Sequence, residues 1–421
     1  MLRISIFSEV GKLKIVLLHR PGRELYNLLP SNDLVNELSI DDTVYLNRVI
    51  EEHDNFSKLL EKEGVNVLFL NKLIIDIIKD NNKKLNLIDK FIKITTNDIK
   101  LSEYLYDFFI KLSPEDLVMK MISGVIIDKP LFSQAGKQIL EKNSLIFHSK
   151  PYPNLIFQRD PFFVAGNRNV FKANMFLKDR QQDTFFLQFV IENHAFFKKL
   201  KVNLFDNILK ANDFIEGGDV LILNKKVIII SLTERTTISS VRKLKDKFFE
   251  SGFETIVCLD LKDKNRTFMH LDTIFTNVYY DKTTVKFLVY PLIFENKKKF
   301  RIIEIKKTQK NQENVICDSF QLYLAQLLKK KIVFIHCGTK RKYKNTRIID
   351  HLSISREQWT EATNVFAISS GLVIAYERNE ITNKNLEENG IKVLRINSSE
   401  LIRLRGGPHC MTMPLLREDV D

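Results

Sequence analysis

Short apolar runs recur along the chain: Val227-Ile-Ile-Ile, Phe287-Leu-Val-Tyr, Ile332-Val-Phe-Ile and Gly371-Leu-Val-Ile-Ala-Tyr, with Lys14 to Leu18 and Val65-Asn-Val-Leu-Phe-Leu nearer the start. Runs this short, rich in β-branched and aromatic residues and bounded by turn formers, read as strands. Helical stretches fall between them without the regular alternation of a doubly wound sheet, and no Gly-x-Gly-x-x-Gly follows an early strand. That disfavours a dinucleotide-binding fold and leaves an α/β fold of another kind. No repeat shows at the level of residue identity.

One region departs from this pattern. From about Leu73 to Gly124 the spacing is helical, with Leu101, Leu105, Phe108 and Leu112 on one apolar face. Ser113-Pro114-Glu115-Asp116 offers a capping hydroxyl, a first-turn proline and early acids, and Gly124 is a stop. Residues 73–145 are therefore expected to form a helical insertion, with 1–72 and 146–421 as the main α/β domain.

With 421 residues, 44% of them apolar, the chain has ample material for a large core. The formal charge of +13 comes from short, scattered lysine groups such as Lys83-Lys84, Lys297-Lys298-Lys299 and Lys329-Lys330-Lys331, with no nucleic-acid module around them. They read as solvated faces. Cys258, Cys317, Cys337 and Cys410 are widely spaced and form no Cys-x-x-Cys pair, which argues against a disulfide framework or structural zinc. The absence of a long apolar run at the N-terminus or elsewhere predicts a cytoplasmic protein.

Chemistry concentrates in four polar motifs at the ends of apolar runs: Asn154-Leu-Ile-Phe-Gln-Arg-Asp160-Pro, Glu216-Gly-Gly-Asp219-Val, Met269-His270-Leu-Asp272-Thr, and Arg405-Gly-Gly-Pro-His-Cys410-Met-Thr-Met-Pro. In the last, two glycines and a proline predict a sharp turn that presents the thiol of Cys410. If 270–272 is extended, His270 and Asp272 share one face. Each motif has a plainer reading, as an ion pair, a turn or a buried histidine. The spacings fit no familiar zinc pattern, so no metal is expected. Carboxylates converging on one pocket suit a planar cation, guanidinium above all, whose central carbon is an electrophile for a thiolate.

In this order the motifs resemble the arginine deiminases of the guanidino-group-modifying enzyme superfamily. Further matches include Phe7-Ser-Glu-Val-Gly, His19-Arg-Pro-Gly-Arg-Glu24, Asp41-Asp42 ahead of Glu52-His53-Asp54, Ser231-Leu-Thr-Glu-Arg235-Thr, Arg356-Glu-Gln-Trp359 and Leu415-Leu-Arg-Glu-Asp. The resemblance implies a pentein fold, a five-bladed α/β propeller of ββαβ units carrying the inserted helical domain. It also implies hydrolysis of L-arginine to L-citrulline and ammonia through an S-alkylthiouronium intermediate, without a cofactor. By the same resemblance Cys410 is the nucleophile, His270 the general acid/base and Glu216 its partner, while Asp160 and Asp272 hold the guanidinium. Asn154 then lies along the aliphatic stem, and Arg180, Arg235 and Arg405 meet the α-carboxylate.

The expected partner is the small-molecule substrate L-arginine, with no nucleic acid and no membrane; the expected assembly is a homo-oligomer, a dimer or larger. Ile402 and Leu404 stand where relatives carry glycines, and predict a stiffer loop beside Cys410. Gln158, Gln182, Asp183, Glu361 and Ala362 depart from the family pattern as well. An alternative is a catalytically weak or inactive paralogue acting as a binding or interaction protein. A third possibility, agmatine deimination or amidino transfer, would dispense with the carboxylate-binding arginines.

Overall fold

The hairpins begin with side chains that replace the backbone in a turn. Asn224 accepts hydrogen bonds from the backbone N–H groups of Lys226 and Val227 at 2.9 and 3.0 Å, folding strand Val220–Ile222 back onto Val227–Leu232. Asp281 does the same with Thr283 and Thr284, both at 2.7 Å, between Phe275–Tyr280 and Thr284–Val289. Between Phe366–Ser369 and Leu372–Tyr376 the turn rests on Gly371, at φ +81°. The computed structural model describes residues 3–28, 30, 38–127, 147–309, 312–316, 319–340 and 347–420. Cys317 and the last part of the expected helical insertion, 128–145, lie outside them.

The fold is mixed α/β. Among the described residues one pairing pattern recurs five times: a first strand pairs antiparallel with a second, which pairs parallel with a third after a helical crossover. The units are Phe162–Val164, Asn169–Lys172 and Asn203–Phe205; Val220–Ile222, Val227–Leu232 and Thr255–Leu261; Phe275–Tyr280, Thr284–Val289 and Lys331–His336; and Phe366–Ser369, Leu372–Tyr376 and Lys392–Ile396. The fifth joins the two ends of the chain: Met413–Arg417 is its first strand, Leu13–Leu18 its second and Asn66–Phe69 its third.

The helical stretch forms four helices, Leu70–Ile78, Asn81–Thr95, Ile99–Ile110 and Pro114–Ser123. Each of the last three is capped by a side chain: Asp80 on the N–H of Asn82, Asp98 on that of Leu101, and Ser113 on that of Asp116 at 3.1 Å. Gly124 ends the last at φ +81°. Leu105 and Phe109 supply the buried face of the third helix, while Leu112 falls beyond its end. These helices share one apolar cluster with Phe162, Phe171, Phe186 and Ile228 from the strand units. No helix among the described residues is long and apolar enough to cross a membrane.

Arg417, on the C-terminal strand, is almost wholly buried and donates to the carbonyls of Gly11 at 2.8 Å and Ala367 at 2.7 Å. It thus ties the unit made from both chain ends to the unit before it. Arg417→Ala leaves both carbonyls without that donor and is expected to cost about 2–4 kcal/mol. A urea titration checks this; an unchanged midpoint would show that the tie is dispensable.

Candidate active site

Each unit carries a polar turn just ahead of its first strand. Cys410 precedes Met413–Arg417, Asp160 precedes Phe162–Val164, Glu216 and the 3-10 turn Gly217–Asp219 precede Val220–Ile222, His270 and the 3-10 turn Leu271–Thr273 precede Phe275–Tyr280, and Glu361 and Asn364 precede Phe366–Ser369. Hydrogen bonds join neighbouring units and close a ring. The Arg159 N–H donates to the Cys410 carbonyl at 3.1 Å, Gly217 N–H to the Asp160 carbonyl at 3.0 Å, and Leu271 N–H to Asp219 Oδ1 at 3.0 Å. Thr276 Oγ1 donates to the Thr363 carbonyl at 2.6 Å, and His409 N–H to the Asn364 carbonyl at 3.2 Å.

The ring brings the predicted chemistry together. One cavity is lined by Asn154, Asp160, Arg180, His270, Arg405 and Cys410, with Ser39, Phe157 and Leu404 among the walls. His270 Nε2 sits 2.9 Å from Glu216 Oε2, and Nδ1 sits 3.6 Å from Asp160 Oδ1. Burial disfavours its charged form, but Asp160, Glu216 and Asp219 outweigh that and raise it to about 10. Glu216 is itself fully buried; burial raises it, yet Arg235, His270 and Arg180 pull it down to about 2. The ring nitrogen can approach because of Gly218, where a Cβ would fall 2.6 Å from His270 Nδ1.

Cys410 has a different environment. Its sulfur lies 3.4 Å from Asp272 Oδ2 and 2.9 Å from Asn364 Nδ2. Burial, with Asp272, Asp160 and Glu361 nearby, pushes the thiol well above its ordinary range. Asp272 is held by His409 Nδ1 at 2.8 Å, and His409 Nε2 reaches Glu9 Oε2 at 3.2 Å. One oxygen of Asp160 and one of Asp272, Oδ1 in each, are buried without a hydrogen-bond partner.

The arginines are distributed less simply than the sequence suggests. Arg180 pairs with Asp160 at 3.1 Å and Asp183 at 3.0 Å, at the acid end of the cavity. Arg235 lies 3.6 Å from Glu216 and donates to Ser39 Oγ at 2.8 Å, and is not among the lining residues. Arg405 stacks 3.6 Å over the Trp359 ring, with Asp41 at 3.4 Å and Glu361 at 3.6 Å. Asn154 lines the cavity and donates to the Leu38 carbonyl at 3.0 Å.

Asp160, Glu216 and His270 also form the one metal-capable cluster among the described residues, their ligand atoms within 4.8 Å of one another. The guanidinium groups of Arg180 and Arg235 stand on its carboxylates, at 3.1 Å from Asp160 and 3.6 Å from Glu216. A divalent cation would meet two fixed positive charges, so the donor set does not suit a metal.

The arginine deiminase family model matches residues 36–417. The arginine deiminase of Mycoplasma capricolum is 38% identical over 424 residues, covering 99% of this chain and 98% of its own. That of Borreliella afzelii is 38% identical over 430 residues with the same coverage. The chain belongs to the arginine deiminase family. Two solved structures share its fold at low identity. SxtG, an amidinotransferase from Microseira wollei, has TM-score 0.56 at 13% identity, covering 99% of this chain and 98% of that one. The substrate-bound N-terminal domain of ArgZ, a cyanobacterial arginine dihydrolase, has TM-score 0.52 at 14% identity, covering 96% and 98%.

Within this arginine deiminase family member several local expectations change. The segment 271–273 is a 3-10 turn and not extended, so His270 and Asp272 diverge, one toward Glu216 and the other toward Cys410. The sharp bend before Cys410 comes from Arg405, at φ +64°; Gly406 and Gly407 supply room instead, since a Cβ would fall 2.2 Å from the Phe157 ring and 2.6 Å from Asn364. Ile402 and Leu404 are buried in the apolar cluster that includes Cys410, Met411 and Tyr376. Glu361 is buried at φ +60°, and burial lifts it to about 8 against the pull of Arg405. Sequence reading missed Asn364, His409 and Glu9; the signal for Asn364 is its place two residues ahead of an apolar run, as for Asp160.

The two shifts set a window for the His270–Glu216 pair. A raised histidine stabilises the fold fully below its ordinary 6.5 and loses that contribution as pH rises through about 10. A depressed glutamate contributes above its ordinary 4.5 and loses that as pH falls through about 2. In Glu216→Gln the His270 midpoint, followed by NMR, should fall by about one to three pH units. A midpoint left near 10 would assign the shift to Asp160 and Asp219 instead.

Proposed function

We propose that this arginine deiminase family member hydrolyses L-arginine to L-citrulline and ammonia, with Cys410 as nucleophile and His270 as proton carrier. The observation that carries the reading is the pair of buried carboxylate oxygens without a hydrogen bond, Asp160 Oδ1 and Asp272 Oδ1, beside a buried thiol. Unpaired buried acceptors favour a ligand rich in N–H donors, and guanidinium offers them in a fixed plane. Its positive charge also offsets the acids that hold the Cys410 proton in place, so substrate arms its own nucleophile.

The thiol passes its proton to solvent, and the thiolate adds to the guanidino carbon to give a tetrahedral adduct. His270, protonated at neutral pH, gives a proton to one terminal nitrogen; that C–N bond breaks and ammonia leaves. The S-alkylthiouronium is attacked by water, which loses its proton to the now neutral His270. The C–S bond breaks as its electron pair returns to sulfur, the hydroxyl proton of the adduct restores the thiol, and citrulline departs. Glu216 keeps the imidazole oriented and charged. Asn154 and Arg405, which line the cavity, serve the stem and α-carboxylate, with Arg180 and Arg235 completing the cationic side once substrate displaces Arg180 from Asp160. The arginine dihydrolase bound to its substrate supports this reading by shared fold. The alternative of an inactive binding protein gains no support, since the reactive thiol and imidazole line one cavity.

The same reading makes the five repeated pairings a five-bladed α/β propeller, with 73–145 as an inserted helical domain on a catalytic body of 1–72 and 146–421. It also places the protein in the cytoplasm as a homo-oligomer, a dimer or larger. Ile348, Ile349 and Leu352, exposed together on helix Ile348–Trp359, support an assembly surface. Analytical ultracentrifugation should find a dimer or larger at micromolar concentration; a monomer there rejects this part of the proposal.

Purified protein given L-arginine should release citrulline and ammonia in equal amounts, and Cys410→Ala should abolish both. Agmatine, which lacks the α-carboxylate, should be turned over at least about 100-fold less efficiently. Comparable rates on the two would remove the arginines from substrate recognition, and citrulline from Cys410→Ala would remove the nucleophile.

A further inference from the structure

The turn ahead of Phe366–Ser369 brings a side chain to the sulfur that the deiminase reading leaves without a role. Asn364 is wholly buried, and both ends of its amide engage Cys410: Oδ1 accepts from the Cys410 backbone N–H at 3.0 Å, and Nδ2 lies 2.9 Å from Sγ. Chemistry fixes the orientation. A backbone N–H only donates, so the amide oxygen faces it and the NH2 faces sulfur. The backbone is held as well, since the His409 N–H donates to the Asn364 carbonyl at 3.2 Å and Gly407 leaves room where a Cβ would fall 2.6 Å from Asn364.

The charged and titratable groups around the sulfur make this contact matter. Asp272 stands at 3.4 Å, and Asp160, Glu361 and Tyr376 also interact with it. His270, on the same cavity, has its ring nitrogens turned to Glu216 and Asp160. The acids oppose negative charge on sulfur, while the Asn364 NH2 favours it.

Resting on the deiminase reading, we propose that Asn364 is a catalytic residue whose Nδ2–H stabilises the Cys410 thiolate. The charge appears there twice: before sulfur adds to the guanidino carbon, and again when water has added and the C–S electron pair returns to sulfur. The donor acts at both moments. Asn364 belongs to the one repeated unit to which the sequence reading gave no reactive group, and stands two residues ahead of its first strand, as Asp160 does in its own.

The isosteric Asn364→Asp separates this from a purely structural role, because it keeps an acceptor for the Cys410 N–H and replaces the donor to sulfur with an anion. Iodoacetamide alkylation of the Cys410 peptide, followed against pH by mass spectrometry, should slow and shift its midpoint upward in Asn364→Asp and Asn364→Ala. The turnover number for citrulline should fall about 10- to 100-fold with little change in KM. An Asn364→Asp variant with the wild-type alkylation profile would reduce Asn364 to a loop clamp and overturn the proposal. Thermal melting reports whether each variant is folded, and Asn364→Asp carries the test if the alanine variant is too unstable to assay. Should the wild-type protein make no citrulline, the deiminase reading fails, while the alkylation profile still judges the donor to sulfur.

Discussion

Five hydrogen bonds between successive units, four of them from polar turn to polar turn and one from Thr276 on its strand to the Thr363 carbonyl, hold the reactive turns together. Each turn lies ahead of a short strand, and each is fastened to the next by a donor and acceptor that have little access to water. Buried backbone groups of this kind are costly to leave unpaired, so the turns cannot drift apart without several penalties at once. The reactive side chains are carried on these same turns. Their spacing is therefore a property of the ring and owes little to any single loop, which is how residues as far apart as Asp160, His270 and Cys410 come to face one cavity.

The electrostatics of that cavity are lopsided by construction. Histidine and arginine are saturated by carboxylates, His270 by Glu216 and Arg180 by Asp160 and Asp183, while the sulfur is left among acids. Such a site keeps its proton donor charged and its nucleophile neutral until a cation enters. Buried charge at this density is compensated pair by pair: Glu9, His409 and Asp272 form a line leading to Cys410, and Arg159 lies 3.5 Å from Glu9. The arrangement is more expensive to assemble than an apolar core.

Much of this was legible in the residues, for physical reasons. Caps are local, so Ser113-Pro114-Glu115-Asp116 located a helix start correctly, and β-branched runs located strands. The motif residues stood out because a polar group beside an apolar run is conspicuous. What stayed hidden is not carried by residue identity. The fivefold pairing lives in backbone hydrogen bonds, which any apolar side chain can accompany, so no repeat shows in the letters. The left-handed bend at Arg405 could not be anticipated while two glycines stood beside it, and their true use, closeness to Phe157 and Asn364, depends on distant segments. Side-chain choice among partners was equally opaque: Arg180 prefers the acids, and a lone asparagine gives no hint of a sulfur neighbour.

The strand that follows Cys410 is the first of a unit whose second strand lies near the start of the chain. During synthesis Leu13–Leu18 emerges early and waits, one edge unpaired, until Met413–Arg417 has been made. A nascent chain that has not reached Met413–Arg417 therefore has no finished sheet at that edge, and one that has not reached Cys410 lacks the thiol that lines the cavity, although it already carries Cys258, Cys317 and Cys337. The demand on chaperones follows from this late pairing and ends when Met413–Arg417 docks.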